Sequence, residues 1–212
     1  MNLVRGVAIA CILVVTVCVL YLPSAHPPEH FLERLQAEHE LSVQLWGQDH
    51  ALRILARMLR LQESAKDASP VSNAVASSTQ PVNLLANPAL GLEVSKVMTA
   101  FYQNQYFKSI EALFALATYR CAQLAEWLPV FGVFIFAVLF DGYVRRIVKS
   151  KEFLHHNPEV FGVHLCLIII VLGAVIVAFV LPVTIPPIAW SVVPFCIAIF
   201  GGFAIANFHY RG

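Results

Sequence analysis

Charged side chains are scarce in this sequence: Asp, Glu, Lys and Arg make up only 13% of its 212 residues. A soluble globular domain carries about 25% charged and about 45–50% apolar residues. Here 58% of the residues are hydrophobic, and they are gathered in long runs that are typical of a chain crossing a membrane. The net charge of +1 gives no general attraction to nucleic acid, so no direct nucleic-acid partner is expected.

The sequence also lacks the short motifs that bind nucleotides or activate a nucleophile. None of G-x-S-x-G, G-x-x-x-x-G-K-[ST] and G-x-G-x-x-G occurs in it. We therefore predict no catalytic residue and no cofactor, and a protein that is not an enzyme.

Cysteine and histidine are present, but not at the spacings of a disulfide framework or a metal site. Four of the five cysteines lie inside apolar runs, where they act as small hydrophobic residues. His155 and His156 are adjacent, which on a helix directs the two side chains about 100° apart. No cysteine or carboxylate cluster completes a ligand set beside them, so no metal site is predicted.

The first apolar run extends from Gly6 to Leu22 without a charge. It is longer than the apolar core of about 7–15 residues in a signal peptide, and Pro23 occupies a position where a cleavage site needs a small residue. The pattern favours an uncleaved signal anchor over residues 1–22; if the segment were cleaved, three spans would remain. Three prolines then predict the end of this helix: Pro23, Pro27 and Pro28.

Residues 29–63 predict amphipathic helix, because apolar residues recur at every third or fourth position with charges between them. Gly47 marks a break in this pattern. Glu38 is one of the charges between the apolar positions, and we expect the histidines of this region, His26, His30, His39 and His50, to be solvated. A flexible loop is predicted for residues 67–91, which are rich in Ser, Asn and Pro, and a helical pattern resumes at Leu92.

Three further apolar runs predict membrane spans. They are Trp127 to Phe140, Gly162 to Leu181 and Ile188 to Phe208.

The predicted fold is therefore all-α: a polytopic helical membrane protein with four transmembrane helices. Its domains are the anchor at 1–22, a helical region at 23–126, and a three-helix membrane domain at 127–212 with a basic loop at 141–161. That loop holds four basic residues, whereas the Pro182–Pro187 turn holds none. The positive-inside rule places this loop and both termini in the cytoplasm.

The densest polar cluster begins at Asp141, and two interpretations of it remain open. On a continuing helix Asp141 and Arg145 form an i,i+4 pair, and the arginines then act as a topology signal. Alternatively the cluster is a docking site for a cytoplasmic partner. Its predicted partner-binding residues are Asp141, Arg145, Arg146, Lys149 and Lys151.

Gly201 and Gly202 in the last run provide a small-residue surface that packs helices closely, within one chain or in a homo-oligomer. The runs otherwise carry almost no ionisable residues, with Asp141 and His164 only at their edges. Ion pumps and proton-coupled transporters usually carry buried charges, so this pattern argues against transport.

Several short motifs of the C-terminal half, in order, resemble a family of inner-membrane proteins encoded in the transfer gene clusters of integrating conjugative elements and conjugative plasmids. The resemblance covers residues 117–208, and the amphipathic region matches only in character. The motifs are Tyr119-Arg120, Leu128-Pro129, Asp141 to Arg146, His155-His156, Leu181-Pro182-Val183 and Pro187.

The resemblance implies the bacterial inner membrane, so that residues 23–126 are periplasmic, and association with a type IV secretion apparatus. We therefore expect a non-enzymatic component of a conjugative DNA-transfer system. Its expected partners are other transfer membrane proteins such as the coupling ATPase, membrane lipid, and a second copy of itself. Two alternatives are a small transporter or channel and an entry-exclusion or host-interaction protein.

Overall fold

The computed structural model describes residues 2–68, 104–151 and 158–208. Within these ranges all regular secondary structure is helical, and the prediction of an all-α fold is confirmed. The helices are α1 (Asn2–Ala25), α2 (Pro28–Trp46), α3 (Gln48–Ala68), α4 (Gln105–Lys151), α5 (Pro158–Val180), a 3-10 helix (Pro187–Ser191) and α6 (Val192–Asn207).

Among the described residues, four stretches are long and apolar enough to cross a membrane: α1, α4, α5, and the 3-10 helix together with α6. These match the four predicted spans in order. The flexible loop predicted for residues 67–91 lies, beyond Ala68, outside the described residues, as do the start of the helix predicted from Leu92 and the pair His155-His156.

The first helix does not end where the sequence predicted. α1 continues through Pro23 to Ala25, so the expectation that Pro23 stops it is wrong. A proline inside a helix removes one backbone hydrogen bond and clashes with the carbonyl four residues earlier, which can kink a helix without ending it. The boundary comes instead at Pro27 and Pro28, because Pro28 opens α2, where a missing N–H group leaves no helical bond unmade.

The predicted break at Gly47 is confirmed. Its backbone has φ 83° and ψ 164°, and its N–H group donates to the carbonyl of Val43 at 2.9 Å. That region of backbone conformation is open essentially only to glycine. The chain turns there, and α3 begins at the next residue, Gln48.

The fourth helix is longer than predicted. α4 has 47 residues and passes without interruption through Pro129 and through the segment from Asp141 to Lys151. The prediction of a loop at 141–161 is therefore wrong for its first part. No proline follows Pro129 in this helix, and a charged segment with an i,i+4 ion pair is as compatible with helix as with loop.

The described residues divide into two compact units. The apolar unit comprises those of Met1–Tyr21 and Gln123–Gly212, and the amphipathic unit comprises those of Leu22–Ala122. In the apolar unit α1 packs on α5, where a Cβ on Gly173 would lie 3.2 Å from the Cys11 Sγ.

Two tryptophans hold the turn between α5 and α6 in the apolar unit. Trp127 Nε1 donates to the carbonyl of Pro187 at 2.9 Å, and Trp190 Nε1 donates to Gln123 Oε1 at 3.0 Å. The Gln123 and Trp190 side chains are almost fully buried, so this polar contact is shielded from solvent.

Candidate functional site

The predicted partner-binding residues all lie on one helix. Asp141, Arg145, Arg146, Lys149 and Lys151 occupy the last turns of α4, which we call the basic end. Cations in the last turn of a helix interact favourably with its dipole, because unpaired carbonyl groups point outward there. The basic end thus combines four cations with one carboxylate on a rigid support.

The pair of Asp141 and Arg145 predicted from their spacing is present. Arg145 Nε lies 2.8 Å from Asp141 Oδ2, and the two side chains are 60% and 56% exposed. An exposed i,i+4 pair stabilises a helix by only about 0.2–0.5 kcal/mol, because water screens it. Arg145 therefore remains available to another anionic group.

Arg146 and Lys149 are half-buried against the C-terminal end of α6. The Arg146 guanidinium carbon lies 4.9 Å from the centre of the Phe208 ring. Lys149 Nζ donates to Asn207 Oδ1 at 2.8 Å, and Asn207 Nδ2 donates in turn to the carbonyl of Phe203 at 2.9 Å. Lys151 is exposed, so the basic end has an inner and an outer pair of cations.

A close approach of α4 and α6 brings these side chains together. A Cβ on Gly202 would lie 2.8 Å from Val138 Cγ1 and 3.0 Å from the Val138 carbonyl oxygen, and one on Gly142 would collide with the Gly202 carbonyl group. A Cβ on Gly201 would lie 3.0 Å from the flexible end of Leu139. Of the two glycines singled out in the sequence, Gly202 thus faces backbone, and its counterpart on α4 is Gly142.

A second polar cluster, which the sequence patterns did not predict, lies in the amphipathic unit. Glu38 and Arg120 are both fully buried. Arg120 Nε donates to the two Glu38 carboxylate oxygens at 3.0 and 3.1 Å, and Arg120 NH2 donates to Oε1 at 2.5 Å. The pair joins α2 to α4 in a forked, charge-assisted contact.

Hydrogen bonds continue from this pair to the next turn of α2. The Tyr119 hydroxyl donates to Ser42 Oγ at 3.0 Å and lies 3.3 Å from His39 Nδ1. Ser42 Oγ donates to the backbone carbonyl of Glu38 at 2.8 Å. We call Glu38, His39, Ser42, Tyr119 and Arg120 the buried polar cluster.

The expectation of solvated positions holds only in part: His39 is half-buried beside the Tyr119 hydroxyl, and the charged Glu38 is buried. Phe31, Glu38 and Ser42 are all buried and lie seven and four positions apart, so they share one face of α2. Tyr119 and Arg120 were noted in the sequence for their resemblance to a known family. Two features of the sequence could have indicated the buried polar cluster: the Glu38 carboxylate on the same helix face as Phe31, and the Arg120 guanidinium within a mainly apolar stretch.

Neither cluster brings metal-binding groups together. Within the described ranges, no three His, Cys, Asp or Glu side chains lie close enough to hold a metal ion. His164, the histidine inside an apolar run, has its Nδ1 2.7 Å from the carbonyl of Val160, one turn earlier on α5. The basic end offers exposed charges that suit recognition, whereas the buried polar cluster positions α2 against α4.

Comparison with known proteins identifies one family. The family model described as IncC plasmid conjugative DNA transfer protein DtrJ-like matches residues 22–209. This confirms the resemblance to proteins of conjugative transfer gene clusters, and it extends the match beyond residues 117–208 into the amphipathic unit. No curated protein and no solved structure matches the chain.

Proposed function

The chain belongs to the DtrJ-like family of IncC plasmid conjugative DNA transfer proteins, and from this premise we propose that it is a non-enzymatic inner-membrane component of a conjugative DNA-transfer apparatus. In this role the protein holds partner proteins at the membrane. The observation that carries the proposal is the group of basic side chains on the last turns of α4. The same helix is long and apolar enough to cross a membrane.

In the proposed topology α1, α4, α5 and the pair of 3-10 helix and α6 each cross the membrane once. About 20 residues suffice for one crossing, and α4 has 47, so it extends past the hydrocarbon layer. The basic end then lies in the cytoplasm with both termini, as the positive-inside rule requires. The amphipathic unit lies in the periplasm.

The proposed docking surface is the solvent-accessible part of the basic end, in which Arg146 is half-buried. Arg145 and Lys151 are exposed, and the only carboxylate among the five predicted residues is Asp141, which is also exposed. Such a surface suits an acidic face on a soluble partner, since complementary charges steer encounter and select the partner. The coupling ATPase of the transfer apparatus and other transfer membrane proteins are the partners proposed.

The test reverses two charges. Arg145→Glu with Arg146→Glu is introduced in the donor cell, and transfer frequency, protein level and topology are measured. We expect transfer to fall by about tenfold or more, the effect of losing about 1.4 kcal/mol of partner binding, while insertion and protein level stay normal. Unchanged transfer by a correctly inserted protein would disprove the docking role.

A matched control reverses two charges elsewhere. Arg57 and Arg60 are exposed on α3 in the amphipathic unit, and changing both to Glu alters the net charge by the same amount. Transfer should stay near the wild-type level in this variant. The tagged wild-type chain should also recover the partner from mild detergent extracts of donor cells, and the variant reversed at the basic end should not.

A further inference from the structure

A groove of about 530 Å³ lies at the basic end, between α4, α5 and α6. Its volume is within the range of about 300–1,000 Å³ that is usual for sites of small ligands. The walls are mainly apolar and include Val148, Val160 and Phe203, and the polar lining includes Lys149. An apolar cleft with a cation at its edge fits a ligand that has an anionic head and an apolar tail.

The Lys149 ammonium is held at this groove by a fixed neutral partner. Asn207 is 8% exposed, and its amide nitrogen is bound to the carbonyl of Phe203, which turns the amide oxygen toward Lys149. An ammonium group has three N–H donors, and Asn207 accepts one of them. Lys149 forms no ion pair within the part of the chain that the structure describes, so none of the described carboxylates neutralises its positive charge.

Resting on the membrane placement of the proposed function, we propose that this groove binds one anionic phospholipid from the cytoplasmic leaflet. The phosphate is held by the Lys149 ammonium, and one acyl chain lies along Val148, Val160 and Phe203. Arg145 also lines the groove, and its weak exposed pair with Asp141 leaves it able to contact the same phosphate. Basic pockets between transmembrane helices on the cytoplasmic side are suited to anionic lipid headgroups.

The chemistry of the groove favours a lipid over a soluble anion. A free phosphate would use the ammonium and leave the apolar walls uncovered, whereas a phospholipid covers both. In the proposed topology the ammonium also lies near the headgroup layer, where anionic lipids are concentrated at the membrane surface.

The experiment measures lipid retention by the purified full-length chain. The protein in mild detergent is offered equal amounts of phosphatidylglycerol and phosphatidylcholine with identical acyl chains, and bound lipid is counted by native mass spectrometry. Wild type should retain one phosphatidylglycerol in preference to phosphatidylcholine by about fivefold, the effect of one basic residue beside an anionic lipid. Equal retention of the two lipids would overturn the proposal.

Two pairs of variants distinguish lipid binding in the groove from general attraction of anionic lipid to surface charge. Lys149→Gln should abolish the preference, whereas Lys151→Gln should keep it, because Lys151 is exposed and does not line the groove. Val160→Trp should fill the groove and lower lipid retention with every cation in place. Val163→Trp, at a position 49% exposed on the same helix and outside the groove, should not.

If Lys149→Gln and Lys151→Gln lowered the phosphatidylglycerol preference equally, or if Val160→Trp left lipid retention unchanged, only general surface charge would attract the lipid. Either result would overturn the proposed site. A competition with excess inorganic phosphate distinguishes the two sources of the anion. Phosphate should not displace the lipid, because the acyl chain contributes to binding; displacement would mean a soluble anion site and would equally overturn the proposal. Thermal unfolding of each variant shows that it is folded.

The two proposals can fail separately. If carbonate extracts the chain from membranes, the membrane placement fails and the lipid site fails with it. If the chain stays in the membrane and transfer depends on Arg145 and Arg146 but lipid retention shows no preference, only the lipid site is wrong. If the lipid preference is present and transfer frequency is unchanged by the charge reversal, only the docking role is wrong.

Discussion

Arg120 and Glu38 lie 82 positions apart in the chain and form an ion pair that is fully closed to solvent on both sides. Removing two charges from water is costly, and the cost is offset only when the geometry is good and the remaining hydrogen-bonding groups are satisfied. Here the guanidinium contacts both carboxylate oxygens. We therefore expect the pair to add little net stability over an apolar pair of similar volume, whereas loss of one partner alone should be costly.

Arg120→Met should lower the free energy of unfolding by about 3–5 kcal/mol, because it leaves the Glu38 carboxylate buried without its partner. The measurement is unfolding of the full-length chain in mixed micelles of a mild detergent and dodecyl sulfate, followed by circular dichroism.

The double variant Glu38→Leu with Arg120→Met should recover most of this loss, since an apolar pair of similar volume can replace a buried ion pair. Asp141→Asn provides the matched control, because its pair with Arg145 is exposed and its loss should change the free energy by less than about 0.5 kcal/mol. A double variant no more stable than Arg120→Met alone would show that the site needs its charges for folding.

The helices of this protein could be predicted because the signals for them are local. The apolar runs predicted the four stretches that are apolar enough to cross a membrane, and Gly47 predicted the break between α2 and α3. The buried polar cluster could not be predicted in the same way. Glu38 lies seven residues after Phe31 on the buried face of α2, yet an amphipathic pattern classes any carboxylate as solvated. Only the packing of α2 on α4 supplies its partner.

The basic end shows the same limit at a helix boundary. A charged segment after an apolar run correctly marked where the chain loses its apolar character, but it did not show whether the helix ends. α4 continues to Lys151, and this places Lys149 beside Asn207 and Arg146 over Phe208. Those contacts depend on the approach of Gly142 to Gly202, which no sequence period encodes.

Gly202→Ala should destabilise the apolar unit, because the added Cβ would meet Val138 side chain and backbone at 2.8 and 3.0 Å. Overpacking of a tight contact costs about 1–3 kcal/mol, and backbone atoms cannot move aside as the end of a side chain can. Gly142→Ala should cost at least as much, since its Cβ would collide with the Gly202 carbonyl group. Unfolding in mixed micelles measures both.

Gly132→Ala is the matched control on α4, where a Cβ would meet nothing within 4 Å. It should leave stability unchanged or raise it by up to about 1 kcal/mol, because alanine favours helix over glycine. Gly201→Ala should have an intermediate effect, since its Cβ would meet only the movable end of Leu139. If Gly202→Ala were as stable as wild type, the close contact of α4 and α6 would be wrong.

Gly47→Ala tests a different kind of glycine requirement. A Cβ on Gly47 would meet nothing within 4 Å, so crowding contributes nothing and any loss must come from the backbone. With φ 83° and ψ 164°, alanine at this position should lower the free energy of unfolding by about 1–3 kcal/mol. Gly162→Ala, also in open space but within a helix, should cost nothing.

Gly47→Asn tests whether position 47 needs only a positive φ or the full combination of positive φ and extended ψ that Gly47 adopts. Asparagine tolerates the left-handed helical region, where φ and ψ are both near +50°, but not the extended ψ of Gly47. We therefore expect Gly47→Asn to be destabilised about as much as Gly47→Ala. If Gly47→Ala matched wild type in stability, α2 and α3 could join without this conformation, and Gly47 would only mark the break rather than fix it.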